Sequence, residues 1–417
     1  MNSTLRILLP LIVAGVSTVR AEDWPRWRGP RGDGTWQAPP VAEQWPAEGL
    51  KQVWKHPIGG GYGGISIADG RALVMDRRKE PTEVERVLAY DLPTGKPLWT
   101  HEYAVAYEKL DYGNGPRAAP TIVGDEVYTL GAVGHVCRLE AATGKLVWAV
   151  DTVKNHSAKI SEWGFAGSPL IWNDTVIVHV GAQPGGCYLA LDRATGRERW
   201  RGGDDPAGYA TPLVIDAPAG KQLVGWTPEH IVGMNPDDGR VEWKIPYKVT
   251  YGVSIADPIY HEGIVFVAGY WDGSKAIRLG PKRTDAELVW QNKDLLRGVM
   301  SQPLYRDGRV FLLDKIFGIT CFELKTGNVL WDDDNALTPR NRNPQASLVW
   351  LGETDRVIAL NAEGELVIGR FTPTGYVEQT RAKIIGPTWA HPGYAGRYVI
   401  ARNDEEIVCV ELPAPPP

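Results

Sequence analysis

The chain is poor in cysteine. Four thiols, at positions 137, 187, 321 and 409, serve 417 residues, with no CxxC spacing and no vicinal pair. Neither a disulfide scaffold nor a cysteine-rich zinc module fits that count, and small buried residues are the expectation. An excess of charge of one sign is also missing. Lys and Arg number 45 against 50 Asp and Glu, the net charge is −5, and no block of like charge stands out. Nucleic acid and anionic membrane surfaces are therefore not expected partners. The eight His show no HExxH or HxH spacing, and no GxSxG elbow occurs. Gly59-Gly60-Gly61-Tyr62-Gly63-Gly64 has neither the Lys-Ser/Thr of a phosphate loop nor a helical pattern after it, and reads as a flexible crossing between strands. Asp332-Asp333-Asp334-Asn335 lacks the spaced ligands and turn Gly of a calcium loop, and reads as a solvated loop. No catalytic residue and no metal ligand is assigned.

The chain is rich in Gly (47), Pro (32) and Trp (17). Many of these residues belong to one recurring unit. Tyr188 to Trp200 reads YLALDRATGRERW, and variants end at Trp99, Trp148, Trp243 and Trp331, spaced by roughly 45 residues or a multiple of it. Each variant is an apolar strand, a tight turn ending in Gly, and a strand carrying Trp. The turn glycines are Gly95, Gly144, Gly196, Gly239 and Gly327, and Asp91 and Asp192 open two of the turns. An Asp side chain bonds backbone amides just ahead of it and Gly accepts positive φ, so each unit predicts an antiparallel hairpin. The Trp offers a flat face to press one sheet on the next.

A second signature marks the start of the first strand in each unit: Ala119-Pro120, Ser168-Pro169, Thr211-Pro212, Asp257-Pro258 and Gln302-Pro303. Proline is tolerated at the start of a strand or on its unpaired side, as in strands lining a central channel. Outer-strand tryptophans number seven (54, 99, 148, 200, 243, 290, 331), with an eighth equivalent near Gln379, and first-to-second-strand turns also number eight. The expectation is an all-β, eight-bladed β-propeller of four-stranded antiparallel blades over residues 49–412. Trp54 sits in a strand lacking its first three partners, while residues 397–412 lack a fourth. The N-terminal strand should close the ring by pairing with the C-terminal blade, leaving no long open edge.

Residues 1–21 read as a cleavable signal peptide, with Arg6 before the apolar run Ile7 to Val19. The run is too short for a good membrane span and no lipid-bearing Cys follows it, so the expectation is a periplasmic or extracellular monomer, not a lipoprotein. Residues 22–48, with four Trp among Pro and Gly, should dock on the body, and residues 413–417 should form a disordered tail.

With Asp-x-x-Thr-Gly-Lys-x-x-Trp in view, residues 50–412 resemble the pyrroloquinoline-quinone (PQQ)-like β-propeller repeat family, nearest its exported, non-dehydrogenase branch that includes the assembly factor BamB. Asp23-Trp24-Pro25-Arg26-Trp27-Arg28-Gly29-Pro30 is similar to the start of many such planctomycete-type proteins. The resemblance implies a binding or scaffold role toward a protein or small ligand of the cell envelope. Dehydrogenases of the family hold PQQ and calcium with Asp, Glu and Asn ligands and often a vicinal disulfide. No matching set is found here, so no cofactor is expected; the alternative is a PQQ-dependent dehydrogenase acting on alcohols or sugars. Residues just before the inner strands should ring one mouth of the channel: Arg117, Glu162, Trp163, Tyr209, Tyr251, Arg297 and Trp389. Aromatic and guanidinium groups around a concavity suit a planar, anionic or sugar-like ligand or a peptide.

Overall fold

The Asp-x-x-Thr-Gly turns show why the units fold as hairpins. Asp91 Oδ1 accepts the Thr94 amide at 3.1 Å, its carbonyl accepts the Gly95 amide at 2.8 Å, and Gly95 takes φ +71°. Asp192 repeats the turn on Thr195 and Gly196, the side chain reaching three residues ahead. The computed structural model describes residues 22–108 and 110–416, and the expected signal peptide lies outside them. Among the described residues eight sheets form, each built on four antiparallel strands, which in the first seven blades follow chain order from the channel outward. The first blade is Ser66–Ala68, Arg71–Arg78, Val84–Asp91 and Pro97–Ala104. The eighth is Gly393–Ala395, Tyr398–Arg402 and Glu406–Glu411, completed on the outside by Lys51–Pro57 with Trp54 opposite Cys409. The ring is closed by its two ends, as expected.

Five of the seams between blades use one device. The turn glycine of the following blade (Gly95, Gly144, Gly196, Gly239 or Gly327) lies on the outer-strand Trp of the blade before it. A Cβ at Gly144 would stand 2.3 Å from the Trp99 ring, one at Gly239 2.4 Å from Trp200, and one at Gly95 2.4 Å from Trp54. The closing seam is thus built in the same way. The Trp indole often donates to the neighbour's turn as well: Trp54 to Leu92 O (2.7 Å), Trp99 to Ala141 O (3.0 Å), Trp148 to Arg193 O (2.9 Å). The glycine is therefore required twice, for its φ and for the approach of the ring. Gly144→Ala is expected to cost about 2–4 kcal/mol, adding left-handed strain to overpacking. Gly124 has φ +57° but open space around it, so Gly124→Ala should cost only about 1 kcal/mol. Urea denaturation of the pair would read the difference.

Each outer strand also bulges one residue before its Trp, so that the Trp faces a small residue across the ladder: Ala89, Ala190, Gly233, Ala276, Cys321 or Cys409 in six blades. Two of the four cysteines have this role, and all four are buried and unpaired. In the seventh blade the bulge places Thr380 opposite Ile368, so the eighth Trp equivalent is Thr380, one residue beyond Gln379.

Two expectations need correction, at the Gly59–Gly64 crossing and at Asp333. The N-terminal segment docks on the body by entering the channel. Trp24 O accepts from Ile67 N, Pro25 O from Ile122 N and Gly34 O from Trp350 N, each at 2.8 Å. Thr35–Trp36 then adds a fifth, parallel strand inside the seventh blade. Innermost strands present unpaired amides to the channel, and the segment satisfies three of them. The Gly59–Gly64 crossing is not loose. A Cβ at Gly59 would meet Arg77 O at 2.2 Å and one at Gly63 would meet Ala118 O at 2.5 Å, so glycine is there for close approach. Nor is Asp333 simply solvated: it is half-buried and accepts the amides of Ile319, Asn335 and Leu337. Of the tail, Pro413 O accepts the Ala42 amide, and residues 414–416 are exposed. No helix among the described residues is long and apolar enough to cross a membrane.

Candidate functional site

The residue before each inner-strand proline does more than precede it. At Ser168, Thr211, Asp257 and Gln302 its side chain accepts the amide of the equivalent residue one blade back. Ala119 N donates to Ser168 Oγ (3.0 Å), Ser168 N to Thr211 Oγ1 (3.0 Å), Thr211 N to Asp257 Oδ1 (2.7 Å) and Asp257 N to Gln302 Oε1 (2.6 Å). Gln345 carries the belt on, its amide group approaching Trp389 O and His391 Nε2. A proline beside each position leaves the inner edge without a further donor, so this polar belt is how the edge is satisfied.

Above the belt opens a cavity of about 550 Å3. Its floor is the belt together with Trp27 of the N-terminal segment, whose indole donates to Asp257 Oδ2 at 2.6 Å and packs on His391 at 4.5 Å between centroids. Burial raises the Asp257 carboxyl to about 6 and lowers His391 to about 3. The wall comes from the crossings between blades, each giving at least one lining residue: Tyr62, Arg117, Trp163, Tyr209, Tyr251, Met300, Arg342 and Trp389 in ring order. Asp111 and Glu162 add carboxylates, and Tyr270 and Trp271 stand at the end of the fifth blade's second strand.

Six of the seven residues named from sequence line this cavity: Arg117, Glu162, Trp163, Tyr209, Tyr251 and Trp389. Arg297 does not. Its amide donates to Asp314 Oδ2 at 2.8 Å and Gly298 bridges Asp314, which draws that stretch against the sixth blade and leaves Met300 at the mouth. Arg117 donates to the carbonyls of Gly115, Asp111 and Tyr112 and lies 5.6 Å over the Tyr62 ring, its guanidinium lowered by burial. Tyr209 packs on Trp163 at 5.3 Å and is pushed up to about 12 by burial. Sequence reasoning missed Trp27, Tyr270 and Trp271, which lie outside the pre-strand positions it searched, and the belt, whose signal was the polar residue before each proline.

In the belt, the hydroxyls of Ser168 and Thr211 accept backbone amides rather than meeting a base. No three His, Cys, Asp or Glu among the described residues gather as for a metal ion. Fold and cavity together define a propeller whose channel opens into an aromatic-walled mouth floored by the chain's own N-terminal segment. The chain belongs to the family described as outer membrane protein assembly factor BamB, with PQQ-like repeats, matching over residues 83–273 and 249–382. It is 23% identical over 269 residues to BamB of Yersinia pestis, covering 60% of this chain and 64% of that protein, somewhat under two thirds of the relative's length. BamB of Moranella endobia is 22% identical over 70% of this chain and 74% of that one. Among solved structures, BamB from Moraxella catarrhalis superposes with TM-score 0.61 at 17% identity, covering 87% of this chain and 97% of the other. The quinohemoprotein alcohol dehydrogenase of Comamonas testosteroni superposes with TM-score 0.67 at 14% identity, covering 94% and 81%. At such identities the structural likeness speaks for the fold alone.

Proposed function

We propose that this protein is an exported, non-enzymatic propeller of the cell envelope that binds a ligand or protein partner at the mouth described above. The observation that carries this reading is the cavity itself: aromatic walls, a floor closed by the chain's own N-terminal segment, and hydroxyls bound to backbone. Kinship with the outer membrane assembly factors supports an envelope setting and a binding role. PQQ with calcium fits poorly. Asp257 is already bonded to Trp27 and Thr211, and no metal-holding group of His, Cys, Asp or Glu is found among the described residues. The expected result is a mature chain beginning at Glu22 in the periplasmic fraction. PQQ with calcium should give neither quinone absorbance on the protein nor dye reduction with alcohols and sugars. Envelope extract should perturb the tryptophan emission of the wild type but not of Trp389→Ala. Stoichiometric PQQ uptake with turnover would overturn the reading.

A further inference from the structure

With the mouth taken as a ligand site, as just proposed, its ring exposure, backbone strain and charge balance narrow the ligand to one class. We infer that it binds a neutral saccharide chain, pyranose faces laid on exposed aromatic rings and hydroxyls bonded to the planar polar groups between them.

The rings are the first support. Tyr251 is 71% exposed, Tyr112 44% and Trp271 42%, and all three line the cavity. Tyr112 and Tyr251 sit at φ 48° and 55°, a left-handed conformation that disfavours bulky side chains and that glycine takes freely. A folded chain gains nothing from an aromatic ring that is both wet and strained, and such strain gathers at binding sites. The rings are also held in place. Trp271 lies 4.1 Å from Tyr270 and meets Tyr251 edge-on at 5.4 Å, while the Tyr270 hydroxyl donates to Arg342 O and Asn343 Oδ1. Tyr112 leans on Trp389 at 5.8 Å. The first platform belongs to the fifth blade and its entry, the second to the crossings around the first, so they face each other over the ring.

Charge decides what lies between them. The lining carboxylates of Asp111, Glu162 and Asp257 stand against the guanidiniums of Arg117 and Arg342 and the Lys315 ammonium over Tyr270, so the mouth carries little net charge. Arg117 is engaged by three backbone carbonyls, which leaves no cluster of guanidinium forks for a phosphate or polycarboxylate. The Lys315 ammonium lies 3.9 Å over the Tyr270 ring and 4.8 Å over Trp271, so a cationic ligand would meet a like charge there. A peptide that adds as a strand needs a free ladder edge. Here the amides of Ala119, Ser168, Thr211 and Asp257 are taken by the belt, and those of Ile67, Ile122 and Trp350 by the N-terminal segment. A neutral polyhydroxylated chain needs none of these. It needs flat apolar faces and paired donors and acceptors, which Asp111, Glu162, Arg342, Asn343, Gln302 and Gln345 supply around a volume in the range of small-ligand pockets.

The test titrates the full mature chain with neutral gluco-, xylo-, manno- and chito-oligosaccharides, read by calorimetry and tryptophan emission. At least one series is expected to bind saturably. Tyr251→Gly should weaken it about three- to tenfold, the loss of one ring contact, while leaving thermal stability equal or raised because the backbone strain is relieved. Tyr251→Phe should retain binding. Silence across the panel, or Tyr251→Gly binding like the wild type, overturns the inference. If the panel is silent while envelope extract still perturbs emission through Trp389, the saccharide falls and the ligand mouth stands. If PQQ with calcium binds instead, both fall.

Discussion

Trp36→Ala is expected to cost about 3–5 kcal/mol, the usual loss for emptying a tryptophan site in a packed interior. The side chain is fully buried, packs 4.9 Å from the Tyr394 ring, and donates through its indole to Glu22 O at 3.0 Å. It belongs to the added parallel strand of the seventh blade, so its loss loosens the segment that also carries Trp27 under the cavity. The cost should appear as a lower urea midpoint together with weaker ligand binding at the mouth. Were the segment only draped on the surface, the change would stay within about 1 kcal/mol, as surface substitutions usually do. That outcome would remove the plugged channel from the description and the floor from the site.

The second large effect is on acid stability. Burial lowers His179 from 6.5 to about 4 and His391 from 6.5 to about 3. His179 Nε2 accepts the Gly208 amide at 3.0 Å while Nδ1 meets Ala210 O at 3.2 Å, an arrangement that requires the neutral ring. In the unfolded chain both imidazoles take a proton near their ordinary value, whereas the folded chain keeps them neutral well below it. Protons therefore favour unfolding as pH falls through 6.5, and the loss grows until the folded-state values are reached. At pH 5 each residue accounts for about 2 kcal/mol relative to neutral pH. Asp257 works the other way. Its folded value, raised to about 6, lets it take a proton before the unfolded chain does, and that returns about 1.4 kcal/mol at pH 5. The net expectation is a decline of about 2–3 kcal/mol between pH 7 and pH 5 from these three groups. Urea titrations at stepped pH would measure it. His179→Gln preserves a donor and an acceptor without titrating, and should flatten the profile by about 2 kcal/mol at pH 5. A variant with an unchanged profile would mean that the imidazole is not held neutral.

How much of this was readable beforehand differs from one element to the next. The hairpin turns were legible because their chemistry is local: Asp91, Thr94 and Gly95 sit within five residues and make their bonds whatever surrounds them. The tight seat of Gly144 on Trp99 was not, since the glycine's own φ already explained it and nothing in a single unit says which ring comes to rest there. At the mouth, pre-strand position was a good guide for Tyr251 and Trp389, which ride on crossings of regular form. It failed for Arg297, where the bridge of Gly298 to Asp314 alters the path of the crossing.

What the order of amino acids determined alone is therefore the blade, the number of blades and the joining of the two ends, because alternation and turn residues set register over a few positions at a time. The tertiary structure decided the plugged channel, the polar belt and the membership of the cavity. Trp27 and Asp257 are 230 positions apart, and each belt bond spans a whole blade. No local pattern encodes such pairs. They exist only once the ring has closed and brought every inner edge around a single axis.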